Sequence, residues 1–539
     1  MDRPLGRNRS RLIAAAAVVP AAFLGVFFVY PVASVLWRGL GGEGLEPIRH
    51  VLDQGRTRDA IWFTAWQAVA STVLTLVIAL PGAAVVARST PRAQRWIRSV
   101  VTIPFVLPTV LVAGAFAELF TTFGLDDGSF RLRHTVWAIL LAHVFFNYAV
   151  VVRSVGSFWA GLDHRLEEQA RVLGAGRIRT FWEITLPRLR PVLAAAGSIV
   201  FLFSFTSFGV VLVLGGPRRA TVETEIYRYA VTRTDFTSAA AVAVLQLLAV
   251  LALVTLATRL ERSRPATTAI ARPAAPLRRS TRFANYGSML VLLGLPIAVV
   301  IERSFAVGGR YGLDHYRALN TRVPQLPVAA TTALRNSILY AFVAMALAVL
   351  IGSIASLVVV HGRHWLSRVF DLGLTIPLGT SAVTIGFGMI IALDEPPLDF
   401  RTSWWIVPIA HSLVGVPFVV RTMVPVLRRI DPRLREAASV LGASPRRVRR
   451  EVDLPIASRG MVVGAAFAFA VSIGEFGATS FLPRRPDTLT APQALFRLLS
   501  TPGELLRGQA MALAVALMAL VAVAVFAIES VRGTSEGSF

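Results

Sequence analysis

The fold of this chain is decided by two stretches of 25 residues, DHRLEEQARVLGAGRIRTFWEITLP at 163–187 and DPRLREAASVLGASPRRVRREVDLP at 431–455. Laid over one another without a gap, at an offset of 268, they share 13 residues. The same offset continues into the next segment, where it aligns Ser204-Phe205 and Phe208-Gly209 with Ser472-Ile473 and Phe476-Gly477. Chance similarity between helical segments would not hold one register over this length, so we predict two duplicated halves.

The composition predicts a membrane protein. The chain has 539 residues, of which 55% are hydrophobic, and its mean hydropathy is +0.62. The apolar residues gather in runs of about 20, the length that a helix needs to cross a bilayer, whereas a soluble helix usually keeps one polar face. We therefore predict an all-α membrane protein and not a large soluble all-α protein. Twelve transmembrane helices are predicted, at 12–37, 61–87, 100–121, 136–158, 191–214, 237–258, 285–301, 336–360, 372–393, 404–427, 460–482 and 508–528.

The distribution of arginine predicts the orientation in the bilayer. With both termini cytoplasmic, the inside segments hold 33 Arg and 13 acidic residues, and the outside segments hold 20 Arg and 16 acidic residues. An excess of basic residues marks the cytoplasmic side. We therefore expect a multi-pass protein of a bacterial cytoplasmic membrane with both termini inside. The net charge of +24 is explained by this topology, so the lipid bilayer is the predicted partner and nucleic acid is not.

Two residue types are missing from the sequence. There is no cysteine, which excludes thiol nucleophiles, disulfides and thiolate metal sites. There is also no lysine, so all 55 basic residues are arginine and the lysine of an ATP-binding P-loop cannot be present. Because the sequence shows no catalytic triad or paired catalytic carboxylates either, we predict that the chain is not an enzyme and binds no cofactor or metal.

A basic, proline-containing segment separates the two halves. Residues 259–284 carry seven Arg and three Pro without apolar periodicity, which is typical of a linker. We predict a first half at 1–258 and a second half at 285–539, each with six transmembrane helices and one large cytoplasmic loop. These loops, at 159–190 and 428–459, are called the first and second coupling loops below. Because six is even, the two repeats enter the membrane in the same direction, and a pathway is expected between them.

Each coupling loop has the pattern of a short helix with defined ends. An aspartate, Asp163 or Asp431, stands at the expected N-cap, and a glycine, Gly174 or Gly442, stands where the helix should stop. Small residues after the first-turn glutamate leave a narrow face that could sit in a groove of a partner. A Leu-Pro pair then opens the next transmembrane helix, since proline is tolerated in a first turn.

These loops resemble the cytoplasmic "EAA" loop of permeases of binding-protein-dependent ABC importers. The first copy matches at Glu168, Ala170, Gly174, Ile184, Leu186 and Pro187, and the second matches at Glu436, Ala437, Ala438, Gly442, Val452, Leu454 and Pro455. The first copy departs from the pattern at Gln169 and the second at Val452. The resemblance covers nearly the whole chain, in the fused arrangement of thiamine and ferric-iron permeases.

The resemblance implies a function and a set of partners. It implies the type I ABC importer permease fold, with each coupling loop seated in one of two copies of an ABC ATPase subunit, which bind the ATP and Mg. A binding protein on the outer face would deliver the substrate. The alternative from another class is a secondary transporter, which can also have twelve spans in two parallel repeats but needs no matched docking loops.

The substrate is less strongly indicated than the class. Residues 205–230 look most like the corresponding segment of thiamine permeases, which favours thiamine over ferric iron or another small ion. Residues 472–482 are also similar to molybdate-type permeases and do not discriminate. The candidate pathway residues are Glu118, Phe205, Ser207, Phe208, Glu475 and Phe476. Intramembrane carboxylates are functional candidates, but Glu118 and Glu475 could either line a path for a cation or form hydrogen bonds near the outer interface.

Overall fold

The structure is a computed structural model that describes residues 7–41, 44–127, 131–262, 278–362, 364–394, 396, 398–400, 402–482 and 485–533. Most of these residues are helical. The helices of the first half are Arg7–Leu24, Tyr30–Leu40, Glu46–Asp53, Gly55–Ala87, Pro91–Val106, Thr109–Thr122, Val136–Ala160, Arg165–Val172, Arg177–Thr180, Leu186–Phe205, Gly209–Leu214, Val222–Tyr227 and Phe236–Arg262. Three π-helical turns, Gly25–Val29, Phe181–Thr185 and Arg228–Thr232, extend helices of this half.

The second half repeats this order. Its helices are Arg279–Met289, Leu295–Phe305, Asp314–Ala318, Ala330–His361, His364–Gly379, Ala382–Ala392, Ile406–Arg428, Pro432–Val440, Pro445–Val448, Leu454–Ile473, Ala491–Ser500 and Glu504–Gly533. Its shorter elements are two π-helical turns, Leu290–Gly294 and Arg449–Asp453, two 3-10 turns, Ala478–Ser480 and Pro486–Thr488, and a small hairpin of Ala306–Val307 with Arg310–Tyr311.

The number of long apolar helices is lower than the twelve predicted. Within the described residues, ten helices are long and apolar enough to cross a membrane, and a bent pair, Pro91–Val106 with Thr109–Thr122, raises the number to eleven. The predicted span at 372–393 is not one helix but His364–Gly379 followed by the short apolar helix Ala382–Ala392. The prediction of an all-α membrane fold with two repeats is confirmed, and the predicted count of twelve is slightly above the ten or eleven spans that the described residues show.

The breaks in the third and ninth predicted spans have local causes. The two helices of the bent pair meet at 93°, and the turn lies at Leu107, which is extended (φ −62°, ψ 144°) and directly precedes Pro108. A residue before proline is disfavoured in the helical region, so the helix ends there. At the equivalent break in the second half, the Ser381 hydroxyl accepts a hydrogen bond from the Val383 amide at 3.0 Å and caps the new helix.

The fifth and eleventh predicted spans also end earlier than expected. The predicted span at 191–214 stops at Phe205, and Gly209–Leu214 is a separate helix. The predicted span at 460–482 stops at Ile473 and continues as a 3-10 turn. The sequence is apolar on both sides of each break, so hydropathy alone does not mark it.

A helix near the start of each half packs against a helix of the other half. Tyr30–Leu40 packs on Ala382–Ala392 of the second half, and Leu295–Phe305 packs on Thr109–Thr122 of the first half. Gly388 permits the first of these contacts, since a Cβ there would lie 3.1 Å from the Pro31 carbonyl oxygen. The two contacts involve equivalent helices at the offset of 268, as expected for two repeats related by a pseudo-twofold axis.

The predicted linker lies mostly outside the described residues, at 263–277. On either side of it the chain is helical, up to Arg262 and from Arg279. The proposed domain boundaries at 258 and 285 therefore remain predictions.

Candidate functional site

Two phenylalanines related by the repeat meet where the halves join. Phe208 and Phe476, at the offset of 268, stack with ring centroids 5.5 Å apart and planes 21° from parallel. Both side chains are buried. Each follows the break after its long helix, so the sequence repeat brings one ring from each half onto the pseudo-twofold axis. In this structure the pair is a direct contact between the two halves.

Further rings extend this contact, and together they are called the axial aromatic cluster: Phe208, Tyr227, Phe387, Phe476 and Phe481. Tyr227 lies 5.4 Å from Phe208 and 5.7 Å from Phe481 between ring centroids, which links the first half to the second. Such edge and stacked contacts stabilise a packed core by about 0.5–1.5 kcal/mol each beyond burial. The cluster therefore holds the two halves together at the axis.

Gly209 allows the helices to approach at this level. A Cβ at Gly209 would clash with the Thr109 hydroxyl and lie 3.3 Å from the Phe476 ring. Thr109 is the first residue of the helix that begins after the bent break. The broken third span and the axial rings thus lie side by side.

A buried histidine anchors each axial phenylalanine through the preceding residue. His143 is within 2.8 Å of both the Ser71 and the Ser207 hydroxyls. In the second half, His411 lies 2.8 Å from the Ser472 hydroxyl and 3.2 Å from a Glu475 oxygen. Neither histidine was predicted from the sequence, although the two stand at the same offset of 268 in otherwise apolar helices.

Glu475 is fully engaged in this structure. Its carboxylate accepts hydrogen bonds from the Ala478 amide at 2.7 Å and the Thr479 amide at 3.1 Å, and it contacts His411 and the Thr479 hydroxyl. These contacts cap the 3-10 turn Ala478–Ser480, which follows the helix Leu454–Ile473. The arrangement fits the hydrogen-bonding interpretation of Glu475 better than a free carboxylate that lines a path.

Glu118 is buried but is paired with arginine. Its two oxygens lie 3.5 Å from Arg303 Nε and 3.8 Å from Arg507 Nε, both in the second half. The contact joins the helix after the bent break to its packing partner from the other half. Glu118 is therefore part of an ionic contact between the halves.

The remaining candidate pathway residues separate into two places. Ser207 lies beside Phe208 and contacts His143. Phe205 stacks on Phe201, 5.7 Å between ring centroids, and packs with Ala68 and Val250 of its own half. The structure thus brings Ser207, Phe208, Glu475 and Phe476 together, while the contacts of Phe205 are within its own half and those of Glu118 are with arginines.

The helices of the coupling loops stop where predicted, but only the second begins as predicted: Asp431 is its N-cap, whereas the N-cap of the first is His164, one residue after Asp163. Arg165–Val172 and Pro432–Val440 are helical, and the Asp163 and Asp431 side chains accept hydrogen bonds from the amides two residues on, at 3.0 and 2.9 Å. Gly174 and Gly442 come after the helices with φ of +84° and +79°. Only glycine adopts this left-handed conformation without strain, so the predicted stop is confirmed.

The other predicted coupling residues lie around these helices. Glu168, Glu436 and Ala437 are exposed, while Ala170 and Ala438 are half-buried. Leu186-Pro187 and Leu454-Pro455 open the next long helices with proline in the first turn.

Each loop presents a matched apolar surface to its surroundings. Val172 and Leu173 are both 87% exposed, and their repeat partners Val440 and Leu441 are 86% and 87% exposed. Exposed apolar residues grouped in this way mark sites of protein contact. The two loops therefore expose equivalent apolar residues at equivalent positions.

A polar pair links each coupling helix to the start of the next span. The acidic residue of the pair is on a different element in each loop. In the first loop, Thr185 donates a hydrogen bond to Glu167 at 2.8 Å. At the equivalent positions of the second loop, Arg435 Nε lies 2.7 Å from Asp453. The acidic partner is on the coupling helix in one half and on the turn after it in the other.

Glu167 stays ionised within this contact. Burial alone would raise the pKa of its carboxyl, but the adjacent His164 and Thr185 side chains and the charge of Arg88 lower the pKa to about 2. Arg88 lies 3.4 Å away at the end of Gly55–Ala87. The first coupling helix is thereby tied to two long helices at once.

Exchanging the charges of the second pair should test its role. R435E or D453R alone places like charges together and should lower ATP-dependent uptake roughly threefold to tenfold, whereas R435E/D453R restores an attractive pair and should recover most of it, a coupling of about 1 kcal/mol. Uptake by reconstituted transporter checks this result. Equal losses in the double variant and in the single variants would mean that the pair does not position the loop.

Comparison with known proteins decides the class. The family described as "Binding-protein-dependent transport system inner membrane component" matches residues 79–264 and again residues 348–530. The chain belongs to this family. The two matches confirm the duplicated halves, and they favour the ABC importer permease over the secondary transporter.

The relatives include permeases with different named substrates. The thiamine transport system permease protein ThiP of Brucella abortus (strain 2308) is 29% identical over 440 residues, which are 77% of each chain. The probable ABC transporter permease protein y4fN of Sinorhizobium fredii is 25% identical over 488 residues, 85% of each chain. The putative 2-aminoethylphosphonate transport system permease protein PhnV of Salmonella paratyphi A is 34% identical over 213 residues, 39% of this chain and 78% of the relative.

These findings establish the class of protein to which the chain belongs. It is the multi-pass permease subunit of an ABC importer, and it is a transport subunit and not an enzyme. Membership in a binding-protein-dependent family implies ATPase and substrate-binding protein partners.

Proposed function

We propose that this permease carries thiamine or a closely related cationic heterocycle across a bacterial cytoplasmic membrane. The supporting observation is the similarity to thiamine permeases over 77% of both chains, which includes both halves. The resemblance of residues 205–230 to the same permeases points the same way. Glu118 and Glu475 add no support, since both are engaged with partners in this structure.

Two alternatives have their own support. The match to a putative 2-aminoethylphosphonate permease is higher in identity but spans 39% of this chain, about one half of the duplication. Ferric iron or another small ion is the alternative that the sequence left open. Both substrates differ from thiamine in charge and shape, so uptake experiments separate them.

Deleting the gene in a strain unable to synthesise thiamine should make growth depend on a high external thiamine concentration. Passive diffusion becomes limiting when the importer is lost, and the measurement is growth against thiamine concentration together with uptake of labelled thiamine. Restoring the gene on a plasmid is the control. Unchanged thiamine uptake with loss of iron or 2-aminoethylphosphonate uptake would move the assignment to that substrate.

Membership in the family implies ATPase and binding-protein partners, and we propose where the ATPase subunits dock on this chain. Each coupling loop docks into one of two copies of an ATPase subunit, which bind ATP and Mg, and both termini of the chain are cytoplasmic. Support comes from the equal exposure of Val172-Leu173 and Val440-Leu441. ATP-driven closure of the two ATPase copies would then draw the loops together and open the axial contact between Phe208 and Phe476 towards the binding protein.

A further inference from the structure

Five glutamates are buried in the part of the chain that the structure describes, and one of them differs from the rest. Glu118, Glu167 and Glu225 are paired with arginine, and Glu475 contacts His411 and two backbone amides. The fifth, Glu223, is 0% exposed. Its partners among the described residues are uncharged side chains.

Glu223 lies at the contact between the halves. It belongs to the short helix Val222–Tyr227, and the Gln246 amide group donates a hydrogen bond to its Oε1. The Ser381 side chain, from the break in the second half, lies next to the same carboxyl group. Two elements of the first half and one of the second therefore enclose Glu223.

Two acceptor atoms of this group have no hydrogen-bond partner among the described residues. Glu223 Oε2 and Gln246 Oε1 are buried and accept no hydrogen bond from the described residues. A buried acceptor left unsatisfied costs about 1–3 kcal/mol, and more if it is charged. Burial raises the pKa of the Glu223 carboxyl to about 8, so its ionisation at neutral pH needs a nearby cation. These costs are offset if the group receives a cation or a hydrogen-bond donor at some stage of transport.

Aromatic rings stand one helical turn from this carboxylate. Tyr227 is four residues after Glu223, so the two side chains share a helix face. Through Tyr227 the carboxylate adjoins the axial aromatic cluster, with Phe208 and Phe481 at 5.4 and 5.7 Å from the Tyr227 ring. Ring faces attract cations, and they bind quaternary nitrogen groups with particular strength when water is excluded.

We propose that Glu223, Gln246 and Tyr227, with the axial aromatic cluster, form a transient binding site for an organic cation between the two halves. In the closed conformation the rings pack on one another. When the halves separate, the rings and the carboxylate face the opening and receive the cation from the binding protein. This proposal rests on the cationic substrate of the proposed function and assigns the residues that recognise its charge.

Binding to a trapped transporter tests the site directly. The full complex is held open with ATP and a hydrolysis-deficient ATPase subunit, and labelled thiamine bound per ATP-loaded complex is measured by equilibrium dialysis. E223Q removes the charge at nearly constant shape and should raise the Kd about tenfold, and Y227L should raise it about fivefold. In the unaltered complex, a neutral thiophene isostere of thiamine should displace labelled thiamine about tenfold more weakly than unlabelled thiamine does. In E223Q, the isostere and unlabelled thiamine should displace it equally well.

The matched control is E46Q, the same carboxylate-to-amide change at an exposed glutamate. It should leave the Kd unchanged. Normalising to ATP-loaded complexes removes any effect of poor folding, and Y227L gives an independent result if E223Q does not assemble. Equal Kd values for E223Q, Y227L and E46Q would overturn the proposal.

The experiment separates this proposal from the one on which it rests. If the unaltered complex takes up no thiamine in vesicles, the proposed substrate is wrong. If uptake is normal but the trapped complex binds no thiamine, or binds it without regard to Glu223, the substrate stands and the site is wrong.

Discussion

A permease with valine at both Gly174 and Gly442 should lose most ATP-dependent transport while still folding and receiving the loaded binding protein. Both glycines have positive φ, +84° and +79°, and a Cβ added at either position would have no atom within 4 Å. The effect of valine is therefore on the backbone and not on packing. The left-handed conformation costs an L-residue about 1–2 kcal/mol, and more when the side chain is β-branched, so roughly a tenfold loss or more is expected for the pair.

The glycine turn matters because it fixes the end of each coupling helix. If the helix end unwinds, Val172 and Leu173, with their repeat partners Val440 and Leu441, no longer present the matched apolar surface that is proposed to contact the ATPase subunits. Co-purification of those subunits should fall together with transport. The measurement is ATP-dependent uptake in proteoliposomes that contain all subunits, and the G174V/G442V variant should be worse than either single variant.

Asparagine provides the control for these positions. It adopts the left-handed conformation more readily than other residues with a Cβ, so G174N/G442N adds a side chain but keeps the turn. We expect it to retain most transport. Full activity of the valine variant, or equal losses with asparagine and valine, would argue against a role for the turn conformation. Uptake driven by an ion gradient without ATP in the valine variant would contradict energy coupling through these loops.

Removal of both axial rings should make the transporter leak. In F208A/F476A the stacked pair that closes the contact between the halves is absent, and large-to-small changes of buried phenylalanine cost about 3–5 kcal/mol each. Because the two rings come from different halves, much of this loss of stability affects the closed conformation, in which the halves are in contact. We expect efflux of thiamine from preloaded vesicles without ATP to rise about tenfold, and the ATPase activity without binding protein to increase.

A second stacked pair serves as the control for this variant. Phe418 and Phe467 stack with centroids 6.1 Å apart, but both belong to the second half. F418A/F467A removes the same number of atoms without opening the contact between halves. It should lower thermal stability and leave efflux near the wild-type rate. Equal efflux in the two double variants would show that the axial rings are not a gate.

The coupling loops could be predicted from the sequence because their information is local. A capping aspartate, a short helix and a glycine stop at fixed spacing specify the backbone without reference to distant residues, and the structure has all three in the second loop and the helix and glycine stop in the first. The duplication was equally visible, since an ungapped offset of 268 leaves few alternatives. Both family matches fall on the halves that this offset defines.

The broken spans could not be predicted from hydropathy because the breaks lie within apolar sequence. Pro108 did mark one of them, since proline disfavours a helical residue before it, but proline is also tolerated inside many membrane helices. The break at 206–208 depends on contacts with distant parts of the chain, such as the one between His143 and Ser207. Only the folded arrangement brings these residues together.

The binding residues were harder to predict than the fold for a related reason. Glu118 and Glu475 were selected as carboxylates in apolar segments, but the arginines and the histidine that engage them come from other helices. Glu223 lies between the predicted spans 191–214 and 237–258, and a carboxylate outside the predicted spans was not a candidate for the pathway. Its burial results from the packing of Val222–Tyr227 against helices of both halves, which no single segment of sequence reveals.

In the two coupling loops the acidic residue stands at opposite ends of the polar pair. This difference limits how the repeats can recombine. If a crossover moved residues 163–174 into the second loop but left 453 in place, the carboxylates of a glutamate and Asp453 would face each other. The reciprocal product would set an arginine against Thr185, close to Arg88. Exchange of a complete loop keeps each pair intact, whereas exchange of a fragment breaks it. Whole loops can therefore be exchanged between the two repeats, but parts of a loop cannot. This opposes gene conversion, which would make the two repeats identical.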